Sequence, residues 1–167
     1  MPFGSSWRRR LRKASGALGL GKAAGSAAMA GEWQTVKFCE CATSVHDTVL
    51  PDSVRGSTYL GLEHIGEGSL SLIGRGIAED ATSIKSRFRK GDILFGKLRP
   101  YFRKVIMAPF EGVCSTDIWV VRAKQGVAQR FLFYWMASHE FVAAATQGSE
   151  GTKMPRAKWD FLCRLEK

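Results

Sequence analysis

From Thr58 onward the chain reads as short apolar runs broken by glycine and proline. Thr58–Ile65 is a predicted strand, Gly66-Glu-Gly68 turns the chain, and Leu70–Ile73 pairs back. Ile84–Lys90 alternates basic and other residues. Asp92–Leu98 and Val105–Ala108 are predicted strands, the second stopped by Pro109, and Phe110-Glu-Gly112 is another turn. Asp117–Arg122 is rich in β-branched and aromatic residues and predicts a strong strand. Upstream, Glu32–Cys41 alternates loosely through Trp33, Val36 and Phe38, as a first strand or turn. Thr43–Ser57, with Pro51 and Gly56, reads as a loop. At Gln129 the period changes. Phe131, Tyr134, Trp135, Ser138 and Val142 fall at helical spacing up to Gln147, and Gly148 ends the run. This helix is apolar nearly all round, which predicts burial. Strands followed by a helix give an α+β (mixed α/β) class. The expected architecture is a strand-rich domain with one buried helix in its C-terminal half, packed on a mixed sheet.

The stretch Gly91–Val105 joins an apolar strand to a basic, aromatic turn. In extended backbone Lys97 and Arg99 share a face, with Leu98 opposite. Pro100 biases Arg99 toward extended geometry and cannot donate to a sheet ladder, so the strand should end there. Tyr101, Phe102, Arg103 and Lys104 follow. Cations, flat rings and a rigid turn suit a nucleic acid.

Charge sharpens this reading. The net charge of +10 is uneven, because residues 1–30 hold six basic residues and no acid. The remaining 137 residues are close to neutral, at +4, yet residues 85–104 carry eight basic residues against Asp92 alone. A local patch on a near-neutral body is the footprint of a nucleic-acid binder. A solvated surface run is the plainer alternative. The sequence has no asparagine, the usual bidentate reader of adenine, so Gln34, Gln125, Gln129 and Gln147 are the only amide candidates.

Residues 1–30 resemble a signal sequence in outline, but Lys22 and five glycines interrupt the apolar stretch. They read as a disordered basic tail, or as non-native sequence before a start at Met29. Residues 31–167 are the expected domain. No apolar run approaches the roughly 20 residues of a membrane span. Cys39, Cys41, Cys114 and Cys163 lack zinc spacing and are expected as reduced structural thiols in a cytoplasmic protein.

Catalytic patterns are sparse. Cys114 with His64 or His139 is a conceivable nucleophilic pair, although His139 is expected to pack within the helix. No Gly-x-Ser-x-Gly, no Pro-Pro dipeptide and no compact acidic motif occurs. Gly74-Arg-Gly76 is only a fragment of a glycine fingerprint.

Three segments carry a family resemblance: Gly91-Asp-Ile-Leu-Phe-Gly-Lys-Leu-Arg-Pro-Tyr101, Cys114-Ser-Thr-Asp-Ile118 and Gly151-Thr-Lys-Met-Pro-Arg156. In this order and spacing they resemble a target-recognition domain of the type I restriction-modification specificity subunit. Glu32-Trp33, Tyr59–Ile65 and the Trp159 segment support the match, which spans about residues 31–163.

The resemblance implies a non-catalytic DNA reader without a cofactor of its own. Such a subunit holds two recognition domains, each reading half of a split site, separated by long helices. It recruits adenine methyltransferase subunits that use S-adenosylmethionine, and an ATP-dependent translocating endonuclease subunit. One recognition domain and no heptad-like tail after Leu165 imply a half subunit, a truncated product or a fragment, with a second half subunit as a further expected partner. A degenerate form that only binds protein is the alternative. The expected DNA contacts are Lys97, Arg99, Tyr101, Arg103, Lys104, Ser115, Thr116, Lys153 and Arg156. Arg99 is the expected guanine reader, and Ser115 and Thr116 serve equally well as turn residues.

Overall fold

The computed structural model describes residues 35–78 and 83–167. The tail expectation, the Met29 start, Glu32-Trp33 and Gln34 therefore lie outside the described residues. Two sheets and four short helices form three layers. The first sheet has the order β1 (Ala42–Val45), β9 (Ile118–Ala123), β6 (Ile93–Gly96), β7 (Val105–Met107), antiparallel throughout. The second has the order β2 (Thr48–Val49), β5 (Lys85–Phe88), β8 (Gly112–Cys114), β3 (Thr58–Leu60), β4 (Gly76–Ile77), and β3 runs parallel to β8. The mixed sheet is thus the second one, and the helices pack on the antiparallel one.

The first sheet is the middle layer because its central strands are apolar on both faces. Ile93 and Phe95 of β6 and Val121 of β9 meet the helices. Leu94, Ile118 and Val120 face the second sheet, against Leu60, Phe88 and Cys114. A strand buried on both faces reads as a continuous apolar run, which is why Ile93-Leu-Phe95 was so legible. On the helix side, Phe38 packs against Trp135, Phe141 and Trp159 at centroid distances of 5.5, 4.9 and 5.1 Å. Burying one such aromatic side chain contributes about 1.5–3 kcal/mol.

The predicted helix over Gln129–Gln147 is two helices, α2 (Gln129–Met136) and α3 (His139–Gln147). Ser138 breaks the run by capping α3, its Oγ accepting the Phe141 N–H at 3.2 Å. Neither helix is buried all round: Tyr134 keeps 60% of its surface, and His139 is exposed rather than packed.

Other departures have tertiary causes. Phe38–Cys41 forms a helical turn, α1, and the predicted loop over Thr43–Ser57 contains most of β1 as well as β2. Polar β1 is a strand because all four of its residues pair with β9. The strand predicted over Thr58–Ile65 stops at Leu60, and Leu62–His64 is a 3₁₀ turn in which His64 Nδ1 accepts the Gly61 N–H at 3.0 Å. The pairing back of Leu70–Ile73 reduces to one bridge, Leu72 to Ile65.

The two ends of the described body are joined. Val36 and Lys167 exchange backbone hydrogen bonds of 3.0 and 3.1 Å, and Phe38 N–H donates to Leu165 O at 2.8 Å. Beside them, Cys39 is disulfide-bonded to Cys163, with Cα atoms 4.6 Å apart. This corrects the expectation of four reduced thiols: only Cys41 and Cys114 are free. A pairing across 124 residues leaves no spacing signal, since the fold alone brings the ends together. Cys163 follows the last short helix, α4 (Trp159–Leu162).

Candidate nucleic-acid interface

At the C-terminal end of β6 the chain leaves the core at Lys97. Its N–H donates to Asp117 O and its carbonyl accepts from Ala157 N–H, both at 2.9 Å. Lys97 is therefore held between the turn before β9 and the loop before α4. That loop is closed by a pair of hydrogen bonds between Glu150 and Arg156, of 3.0 and 2.9 Å. Gly151 sits in it at φ +105°, a region that favours glycine. The Arg156 guanidinium then forks onto Asp117, with Nε–Oδ1 2.8 Å and Nη2–Oδ2 3.3 Å. Leu98 bridges to Arg156, and Arg99 N–H donates to Pro155 O at 2.8 Å. Three segments far apart in sequence, around Lys97–Arg99, Thr116–Asp117 and Lys153–Arg156, thus meet at one corner.

Arg99 is not extended. Its φ of 49° and ψ of 63° are left-handed, and Arg103 repeats this at φ 48°. Between them Pro100–Phe102 makes one 3₁₀ turn. Left-handed backbone costs a non-glycine residue about 1–2 kcal/mol. The two residues reverse the chain on either side of the proline, and the bond to Pro155 O holds Arg99 in place. This overrides the pre-proline preference. Strain of this kind is typical of functional loops. Outward from the turn stand Arg99, with one long contact of 3.5 Å from Nη2 to Lys153 O, and Tyr101, half exposed. Thr116 and Lys153 are exposed nearby.

Three expected contacts turn inward. Arg103 donates to Gly68 O and reaches His139 Nε2 at 3.1 Å. Lys104 Nζ donates to Leu62 O at 2.8 Å and lies 3.7 Å from Glu67. Ser115 is a turn residue: its Oγ accepts the Asp117 N–H at 3.2 Å and its own N–H donates to Leu60 O at 3.0 Å. Lys97, Arg99, Tyr101, Thr116, Lys153 and Arg156 remain together. Asp117, the clamp on Arg156, lay within a quoted segment, but nothing in the sequence marked its partner.

The basic run 85–104 is two clusters, not one patch. Arg89 and Lys90 lie at the opposite end of β6 from Lys97, and four strand residues span roughly 13 Å. Arg87 and Arg89 line a separate cleft that also holds Asp47 and Glu111. Two of the glutamines lie elsewhere. Gln129 accepts from Ala123 N–H at 2.7 Å and donates to Gly91 O at 2.9 Å, so it is a structural brace. Gln125 stands in the turn between β9 and α2, away from the Lys97 corner.

Cys114 does not have the environment of a nucleophile. It is fully buried, and burial pushes its thiol up to about 12, with the Asp92 charge a lesser cause. At pH 8 the thiol should resist iodoacetamide in the folded protein and react once urea unfolds it. Rapid labelling of native Cys114, read by peptide mass spectrometry, would show an accessible thiolate instead. Among the described residues, no group of three or more His, Cys, Asp or Glu is placed to hold a metal ion, and no helix is long and apolar enough to cross a membrane.

No protein-family model matches the chain. It is 31% identical over 126 residues to the type I restriction enzyme EcoDI specificity subunit of Escherichia coli, a match covering 74% of this chain and 28% of that protein. Over that stretch the chain is similar to a type I specificity subunit. Structures agree with the fold. A chain solved in work on complex assembly and conformational transition of the type I restriction-modification system superposes with a TM-score of 0.67. It shares 22% identity, over 80% of this chain and 37% of that one. The HsdS subunit of Thermoanaerobacter tengcongensis gives 0.65 at 21% identity, over 85% and 39%. The chain therefore spans well under half the length of the specificity subunits it matches.

Proposed function

We propose that the chain is a DNA target-recognition module that reads one half of a split site. The observation that carries this reading is the convergence of the three segments on a single corner. There Lys97, Arg99 and Lys153 present positive charge beside Tyr101 and Thr116. In this reading the cations bind backbone phosphates, which positions the duplex, and Arg99 forks to a guanine edge. Arg156, already paired to Asp117, holds the loop that carries Lys153 and offers its remaining N–H groups to DNA.

The module itself performs no chemistry and takes no cofactor. An adenine methyltransferase subunit using S-adenosylmethionine and an ATP-driven endonuclease subunit act on the site, in the cytoplasm. A second half-specificity subunit supplies the other half site. Similarity to a specificity subunit supports this assignment.

Titration of binding to random duplex DNA against salt tests the reading. Three to five phosphate contacts give a log–log slope of about −3 to −4.5. No binding at low salt would favour the other reading, a fragment that contacts only protein.

A further inference from the structure

Arg103 and Lys104 carry charge suited to DNA, yet both are committed to a neighbouring loop. That loop is the hairpin 66–71, Gly-Glu-Gly-Ser-Leu-Ser, closed by Gly66 N–H donating to Ser71 O at 2.9 Å. Four contacts dock it on the turn that carries Tyr101. Gly68 N–H donates to Phe102 O at 3.1 Å, Arg103 donates to Gly68 O, Lys104 donates to Leu62 O at the hairpin's base, and Lys104 offsets the Glu67 charge. Leu70, held at φ 56°, packs its side chain against the helix-side core and anchors the tip. Ser69 and Ser71 are left exposed, their hydroxyls 2.8 Å apart.

We propose that this hairpin is part of the reading face, with Ser69 and Ser71 contacting base edges and Arg103 and Lys104 acting as positioning residues for it. The proposal rests on the DNA-reading function above and deepens it. The Pro100–Phe102 turn is gripped on one flank by the Lys153 loop and on the other by this hairpin, so a duplex laid on Arg99 and Tyr101 meets both. A solvated turn has no need of four anchors to a second loop. A hydroxyl both donates and accepts, and serine contacts either kind of base edge. A neutral tip beside cations divides the work, since cations fix the backbone while hydroxyls discriminate. Small residues at the tip also allow close approach.

Selection of preferred sequences from a randomised duplex pool, using the full chain, tests this. The double variant Ser69→Ala/Ser71→Ala should keep the salt slope. It should change the selected sequence at one or two adjacent positions, with discrimination there falling roughly two- to tenfold, the worth of a neutral hydrogen bond. Arg103→Met should alter the same positions and speed amide exchange at Gly68. An unchanged selected sequence in both variants overturns the proposal while leaving DNA binding intact. Binding by the parent chain with no sequence preference also overturns it. No binding by the parent at any salt overturns the DNA-reading function with it.

Discussion

A chain carrying Lys97→Ala, Arg99→Ala and Lys153→Ala together is expected to bind duplex DNA roughly two to three orders of magnitude more weakly, at about 1–1.5 kcal/mol per lost contact. Its salt slope should become shallower by about two, one each for the phosphates released by Lys97 and Lys153, since Arg99 reads a base edge. The three side chains differ in how they are held. Lys97 is half-buried, its backbone bonded on both sides, so its ammonium leaves a fixed point. Arg99 and Lys153 are exposed and joined only by the 3.5 Å contact. Fluorescence anisotropy from 50 to 300 mM salt reads both quantities. The control is Arg87→Ala/Arg89→Ala, which removes two charges from the other end of β6 and changes the net charge almost as much. If the control loses as much affinity and slope as the triple variant, binding follows overall charge, and the corner is not the contact. Among single variants, Arg99→Ala is expected to relax preference at one base pair, whereas Lys97→Ala weakens all duplexes alike.

What the sequence made legible follows from where the information is stored. Ile93-Leu-Phe95 and Ile118–Val121 were readable as strands because burial on both faces writes a continuous apolar run. β1 was not, because its strand character comes from pairing with β9 rather than from its own Thr43 and Ser44. The break between α2 and α3 rests on one serine inside an otherwise unbroken apolar period. The site divides in the same way. The turn at Tyr101 was legible because Pro100 marks it, but Arg99 was expected extended and is left-handed. The left-handed backbone on either side of that proline arises from contacts with residues 155 and 68, which no local pattern records. Counting charges along residues 85–104 merged two clusters that β6 holds apart. It also could not separate cations that face outward, such as Arg99, from cations that brace a loop, such as Arg103 and Lys104.

Arg122→Ala is expected to cost the fold about 3 kcal/mol. Asp92 is the one buried charged side chain among the described residues, at 4% exposure. It immediately precedes β6 and organises the turn from β5. Its Oδ2 accepts the Arg89 N–H at 2.8 Å, its N–H donates to Arg89 O at 3.1 Å, and its carbonyl accepts from Ala108 N–H at 2.8 Å. Arg122, on β9, meets the carboxylate with both prongs, at 2.6 and 2.8 Å. Alanine would leave the carboxylate with a single donor in a site that water reaches poorly, so most of the cost is the stranded charge rather than the lost pair. Urea unfolding at pH 7 should show a lower midpoint with an unchanged slope. Adding Asp92→Asn to Arg122→Ala should recover part of the loss, because the stranded charge is gone. A loss below about 1 kcal/mol in the single variant would mean the carboxylate is solvated after all. The pair sits at the end of β6 opposite Lys97. Under conditions where the variant stays folded, its DNA salt slope should therefore match that of the parent chain, which separates a weakened scaffold from a damaged reading face.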